Sequence, residues 1–280
     1  MILIADSGST KIAWCVVDHG KLVKQVFTCG MNALLLTEEE MQLRIATELA
    51  SEVSEYPIDK VYYYGAGCVS EEVCANVRNA IAASINADQI EVYTDLLAAA
   101  HAVCDREPGI ACILGTGSNS CVYDGKNITD NVSPLGYILG DEGSGAVLGK
   151  ILVGDVLKNQ LPQHLCDKFL EQYSLDRLTI IRRVYKEPQA NRFLASVTRF
   201  LIENINEPSI HQLVYNSFKS FFVRNIANYK GYKEYKINFV GSIAFFYQDV
   251  LREVAADMGC TIGNIIQSPM DGLINYHRID

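Results

Sequence analysis

Asp6-Ser7-Gly8-Ser9-Thr10-Lys11 gathers a carboxylate, a glycine, three hydroxyls and an amine into six residues. Apolar runs flank it: Met1-Ile2-Leu3-Ile4-Ala5 before and Ile12-Ala13-Trp14-Cys15-Val16-Val17 after. Both runs read as buried strands, so the polar residues fall in the tight turn between them. Gly8 frees the backbone there and lets a ligand come close. The hydroxyls, Lys11 and the turn's N–H groups can hold phosphate oxygens. Asp6 can hold Mg²⁺, directly or through water.

The same device recurs about a hundred residues later. Ile110-Ala111-Cys112-Ile113-Leu114 reads as a strand, Gly115-Thr116-Gly117-Ser118-Asn119-Ser120 as a turn, and Cys121-Val122-Tyr123 as the next strand. Between the two devices, Ile90-Glu91-Val92-Tyr93 runs into Thr94-Asp95 and a helical stretch to Cys104. A carboxylate thus stands at a strand end, where α/β proteins build their sites. Other phosphate motifs fail. Ser144 to Ile151 has the Gly-Lys of a Walker loop but neither its first glycine nor its final hydroxyl. The third glycine of a dinucleotide fingerprint is missing after both Gly115-Thr116-Gly117 and Gly65-Ala66-Gly67.

This constellation resembles the sugar kinase, Hsp70 and actin ATPase superfamily. Within it the chain is similar to the N-acetylglucosamine kinases and the related activator ATPases of the BadF/BadG/BcrA/BcrD family. The resemblance covers nearly the whole chain. Asp6 to Lys11 matches the first phosphate loop and Gly115 to Asn119 the second. Gly140-Asp141-Glu142-Gly143-Ser144 matches a block of the N-acetylglucosamine kinases, and Val240-Gly241-Ser242-Ile243-Ala244 the adenosine motif.

The resemblance implies an α/β chain of two ribonuclease H-like domains of the actin-like ATPase and sugar kinase fold, with a nucleotide cleft between them. It implies ATP and Mg²⁺ as cofactors and transfer of a phosphoryl group to an amino sugar, N-acetylglucosamine first among them. By the same correspondence Asp95 is the base for the sugar hydroxyl and Asp6 the Mg²⁺ residue. Gly8, Ser9, Thr10, Lys11, Gly115, Thr116, Gly117 and Ser118 hold the phosphates, and Gly241 and Ser242 let adenosine approach. Asn32, Gly67 and Asp141 contact the sugar together with Asp95. Taken without the family, Asp95 is a helix cap, Asn32 a loop cap and Glu142 a partner of a helix dipole. A homodimer is the usual assembly of similar kinases.

Composition agrees. The chain has 280 residues, 49% of them hydrophobic, and a formal net charge of −9. That balance leaves no basic stripe for nucleic acid. No apolar run approaches the ~20 residues that span a bilayer. The chain opens directly on a strand, with no signal segment, which points to the cytoplasm; Asn127-Ile128-Thr129 then reads as a surface turn. Nine cysteines contain no Cys-x-x-Cys pair. Several sit in apolar strands and read as small core residues. Iron–sulfur ligation at a subunit interface, as in the activator ATPases, is the alternative. A catalytically silent sensor is a third reading, disfavoured by Asp6, Asp95 and both loops.

Three strands near 1–5, 12–17 and 22–28 form a meander. Thr37 opens a helix to about Glu55 with Glu40 completing a capping box. A strand at 61–64, a helix from the cap Ser70 to about Ile85, the strand at 90–93 and the helix after Asp95 complete a first domain, 1–107. The second domain, 108–280, begins with its strand pair. Helices follow over 144–158, 162–173, 189–204 and 209–229, then a strand 236–240, a helix 247–258 and a strand 262–266. A closing helix in 269–280 is expected to return to the first domain.

Overall fold

A computed structural model describes residues 1–8 and 11–279. The chain divides into two compact units: Met1–Glu107 with Pro269–Asp280, and Pro108–Ser268.

The first unit is built on a five-stranded sheet in the order β3-β2-β1-β4-β5. Its strands are β1 (Ile2–Ser7), β2 (Lys11–Asp18), β3 (Lys21–Cys29), β4 (Lys60–Gly65) and β5 (Gln89–Thr94). β1, β2 and β3 form the antiparallel meander, while β4 and β5 run parallel to β1. Strand side chains alternate between faces, and both faces of this sheet are covered. Leu3, Ala5, Trp14 and Tyr63 pack on one side with Met41, Ile45, Val77 and Ile81. Ile4, Cys15, Tyr62 and Tyr64 pack on the other with Ala98, Leu273 and Ile274. This explains why β1 and β4 read as unbroken apolar runs.

Local signals set the helices. The Thr37–Glu40 capping box starts Glu38–Glu48. That helix stops at fully buried Leu49, where the backbone turns to φ −120°, and a separate turn Ala50–Val53 follows in place of one long helix. Ser70 caps Glu71–Ala82 through Val73 N–H. Helix Met270–Tyr276 belongs to this unit and packs beside Asp95–Cys104.

The second unit holds a sheet in the order β10-β9-β6-β7-β8. The strands are β6 (Gly109–Leu114), β7 (Ser118–Tyr123), β8 (Ile128–Asp130), β9 (Lys236–Val240) and β10 (Thr261–Ile266). β6, β7 and β8 are antiparallel; β9 lies parallel to β6 and β10 parallel to β9. The helical part is more divided than the sequence suggests. The stretch 189–204 forms two helices, Ala190–Ser196 and Arg199–Glu203, and helix Pro208–Arg224 gives way to a 3₁₀ turn, Ile226–Asn228. Helix Arg177–Tyr185, capped by Asp176, and the short β8 were not expected.

Helix Gly145–Leu157 crosses Ala190–Ser196 at Gly149, where an added Cβ would lie 1.8 Å from the Leu194 carbonyl oxygen. No side-chain rotation relieves a clash with backbone. Gly149→Ala is therefore expected to cost about 2 kcal/mol or more in urea unfolding. Gly154→Ala on the same helix meets nothing within 4 Å. It should instead add up to about 1 kcal/mol, the helix-propensity difference between the two residues.

Candidate functional site

Parallel register brings one set of expected residues together in the first unit. Ser7 pairs with Gly65, and Gly65 with Thr94, so β1, β4 and β5 end in line. Asp6 and the turn after Ser7 leave from that edge, and so does Asp95. Gly8 N–H donates to the Lys11 carbonyl across the turn, 3.1 Å. The Lys11 ammonium rests 4.2 Å from the centre of the Phe27 ring. Ser9 and Thr10 lie outside the described residues. Asn32 Oδ1 accepts from Leu34 N–H at 3.0 Å, an Asx turn of the kind its sequence position allows. Gly67 adjoins it at φ +88°, where a Cβ would stand 2.5 Å from Asn32 Oδ1.

Two readings change here. The helix Asp95–Cys104 is capped by Thr94, whose hydroxyl accepts from Leu97 N–H at 3.1 Å. Asp95 is therefore not the cap and occupies the first helical position. The Ser7 hydroxyl, counted among the donors of the turn, points inward and is fully buried.

A second set gathers in the other unit. Residues 115–117 link β6 to β7, with Gly115 N–H donating to the Gly117 carbonyl at 3.0 Å. The Gly115 and Thr116 carbonyls accept from Gly145 and Ala146 N–H at 2.8 and 3.0 Å. Helix Gly145–Leu157 thus has its first amides satisfied by the loop, while Ser144 Oγ takes Val147 N–H. Asp141 has φ +54° and its carboxylate accepts from Ser118 N–H. Its Oδ2 stands 3.0 Å from where a Cβ on Gly117 would be. Gly241, at φ +124°, lies so close to β6 that a Cβ would fall 2.3 Å from the Leu114 carbonyl oxygen. Ser242 opens the helix Ser242–Phe246 and is exposed.

Glu142 is not a dipole partner. It precedes the helix by three residues and is bound at 2.5 Å to Arg224 Nε and at 3.4 Å to Asn225 Nδ2. That ion pair ties the Gly140–Ser144 block to the end of helix Pro208–Arg224.

Comparison with known proteins gives the arrangement a family. No protein-family model and no curated protein matches the chain. A solved structure from Porphyromonas gingivalis, provisionally named as an N-acetylglucosamine kinase, is 45% identical. It covers 100% of this chain and 99% of its own, with a TM-score of 0.96. The chain belongs to the N-acetylglucosamine kinase-like family. A second structure with the same provisional name, from Chromobacterium violaceum, is 15% identical over 99% of both chains, with a TM-score of 0.67. The ethanolamine utilization protein EutJ from Carboxydothermus hydrogenoformans is 15% identical at a TM-score of 0.54, over 98% of this chain and 88% of its own. These two share the fold, that of the actin-like ATPases and sugar kinases.

In this member of the N-acetylglucosamine kinase-like family, burial dominates the electrostatics of the first unit's edge. It raises the Asp6 carboxyl to about 6, with the Asp95 charge adding to the rise and Lys11 opposing it. Asp95 is also raised by burial, against hydrogen bonds from Leu96 N–H and its own N–H. Asp141 is raised by burial too, opposed by the Ser118 N–H. Asp6 thus feels a neighbouring carboxylate's charge on top of its own burial, which places it near Asp95 at this edge.

The Asp6 rise has a consequence for stability. In the unfolded chain the carboxyl ionises near pH 4, in the folded protein near pH 6. The folded state holds the extra proton, so stability falls as pH rises through that window. Asp6→Asn should therefore make the protein more stable at pH 7, by up to about 3 kcal/mol. The gain should shrink to nothing by pH 4. Urea unfolding of both proteins at pH 4, 5, 6 and 7 reads this directly, and a variant less stable at pH 7 would contradict it.

Proposed function

We propose that the protein transfers the γ-phosphoryl group of ATP to an amino sugar, and that the sugar is N-acetylglucosamine, phosphorylated on its 6-hydroxyl. The observation that carries this reading is Asp95, partly buried at the first position of its helix and at the same sheet edge as Asp6. The 45% identical relative, provisionally named as an N-acetylglucosamine kinase, supports the choice of sugar.

The chemistry needs positioning, charge neutralisation and a proton acceptor. Asp95 takes the proton of the sugar hydroxyl as its oxygen bonds to the γ-phosphorus, and ADP leaves. A carboxyl raised by burial is better matched to that task near neutral pH than an exposed one. Asn32 offers its amide NH₂, since Oδ1 is committed to Leu34. Gly67 offers backbone, and Asp141 an oxygen for a second hydroxyl. Gly8, Ser9, Thr10, Lys11 and residues 115–118 address phosphate oxygens, and Gly241 and Ser242 the nucleoside. Asp6 would hold Mg²⁺, which when bound neutralises phosphate charge. A cytoplasmic homodimer completes the reading; Cys15, Cys68, Cys74 and Cys166 are buried, in keeping with a role as small core residues. No helix among the described residues is long and apolar enough to cross a membrane.

The deciding experiment is ATP consumption across N-acetylglucosamine, glucosamine and N-acetylmuramic acid. ADP release should depend on sugar and be fastest with N-acetylglucosamine. Rapid sugar-independent hydrolysis, with stoichiometric iron and sulfide in anaerobically purified protein, would replace the kinase by an activator ATPase. Asp95→Asn should lower kcat with the best sugar by about 10²–10⁴-fold. It should leave the affinity for a non-hydrolysable ATP analogue intact, as measured by calorimetry. Near-normal turnover in that variant would remove Asp95 from the role of base.

A further inference from the structure

Ser7 joins three segments of the chain. Its Oγ receives a hydrogen bond from the Tyr63 hydroxyl at 2.7 Å and donates one to the Met31 carbonyl at 3.1 Å. Its own carbonyl accepts from Ala66 N–H at 3.1 Å. The first segment is β1, the second leads into Asn32, and the third turns toward Gly67. A serine hydroxyl has one proton to give, and here it goes to Met31, so none is left for a phosphate.

The contacts around this point are rigid. Ser7 and Tyr63 are both fully buried, and the Tyr63 ring leans on Trp14 with centroids 5.8 Å apart. Burial holds the Tyr63 phenol well above its ordinary range, so it remains a donor at every working pH. The Met31 carbonyl and the Asn32 N–H belong to one planar peptide group. Fixing the carbonyl therefore fixes the plane from which Asn32 projects. The Asn32 carbonyl is fixed in turn by Leu35 N–H at 2.9 Å, and its Oδ1 by Leu34 N–H at 3.0 Å. What remains is the Asn32 Nδ2 group, with no protein partner among the described residues.

We infer that Ser7 is a positioning residue for the sugar: through Met31 it sets the Asn32 amide, while Tyr63 keeps its hydroxyl aimed. This rests on the reading above in which Asn32 contacts the sugar. β1 is held by its ladders to β2 and β4 on either side. Loss of the hydroxyl should therefore disturb the Asn32 loop and not the phosphate turn.

The test is steady-state kinetics with N-acetylglucosamine and ATP on Ser7→Ala, Tyr63→Phe, Asn32→Ala and the Ser7→Ala/Asn32→Ala double variant. Ser7→Ala should raise the sugar KM about ten- to a hundredfold, the scale of a misplaced binding group. The ATP KM and kcat should stay within about threefold, a difference under ~1 kcal/mol. In the Asn32→Ala background, Ser7→Ala should add nothing further, because its effect passes through the missing amide. Tyr63→Phe should raise the sugar KM about three- to tenfold, the worth of one hydrogen bond. Tyr63→Phe carries the comparison if Ser7→Ala does not fold. Equal rises in both KM values, or an effect that adds in full to Asn32→Ala, overturns the inference and leaves Asn32 as a sugar contact. An unchanged sugar KM in Asn32→Ala removes that contact, and the inference with it.

Discussion

The parallel register of β1, β4 and β5 is the constraint on which the first unit depends. Because Ser7, Gly65 and Thr94 lie opposite one another, three different chain segments leave the sheet at one level. The first carries Asp6, the second Gly67, the third Asp95. A slip of one residue in any pairing would turn that strand's side chains to the opposite face. Here both faces are occupied by packed cores, so such a slip would bury the wrong set on each side. The consecutive tyrosines of β4 show how tightly the choice is made. Tyr63 lies in one core and its neighbours Tyr62 and Tyr64 in the other. The Tyr64 hydroxyl there bridges His101 Nδ1 and His277 Nε2, each at 2.8 Å.

The second unit reaches a similar end by other means. Its loop at 115–118 is held from beneath by a helix N-terminus and from the side by the Asp141 carboxylate. The block that carries Asp141 is in turn clamped by Glu142 to Arg224. Gly143 seats that block against Phe218 and Phe221 of the same helix, with a Cβ position 3.1 Å from Phe221 Cβ. Polar residues near the loop thus work on the backbone that carries it, and their carboxylates are only partly available to a ligand.

Much of this was legible in the sequence where the cause is local. The Thr37–Glu40 box and the Ser70 cap depend on residues three apart, and both formed as read. Gly-rich turns between apolar runs located both loops. The inward turn of Ser7 was also legible, although motif matching hid it. Leu3 and Ala5 face one core, and period-two alternation carries Ser7 to the same side. Thr94 and Asp95 are adjacent residues that can both cap a helix, and only the backbone's turn at Thr94 separates their tasks. The pairing of Glu142 with Arg224 spans too much chain to be read from either end. The breaks at Leu49 and between Ser196 and Arg199 follow from which side chains the core accepts, which overrides helical periodicity.

The backbone bonds from Gly145 and Ala146 to the loop carbonyls make the 115–118 segment mechanically part of a thirteen-residue helix. Gly149 presses the same helix onto the Leu194 backbone, with no slack at the crossing. Loop and helix therefore form one lever, and a shift at its tip must be taken up by the helix pair behind it or not occur at all. A loop of small residues, which on its own would sample many shapes, inherits the stiffness of the layer that supports it.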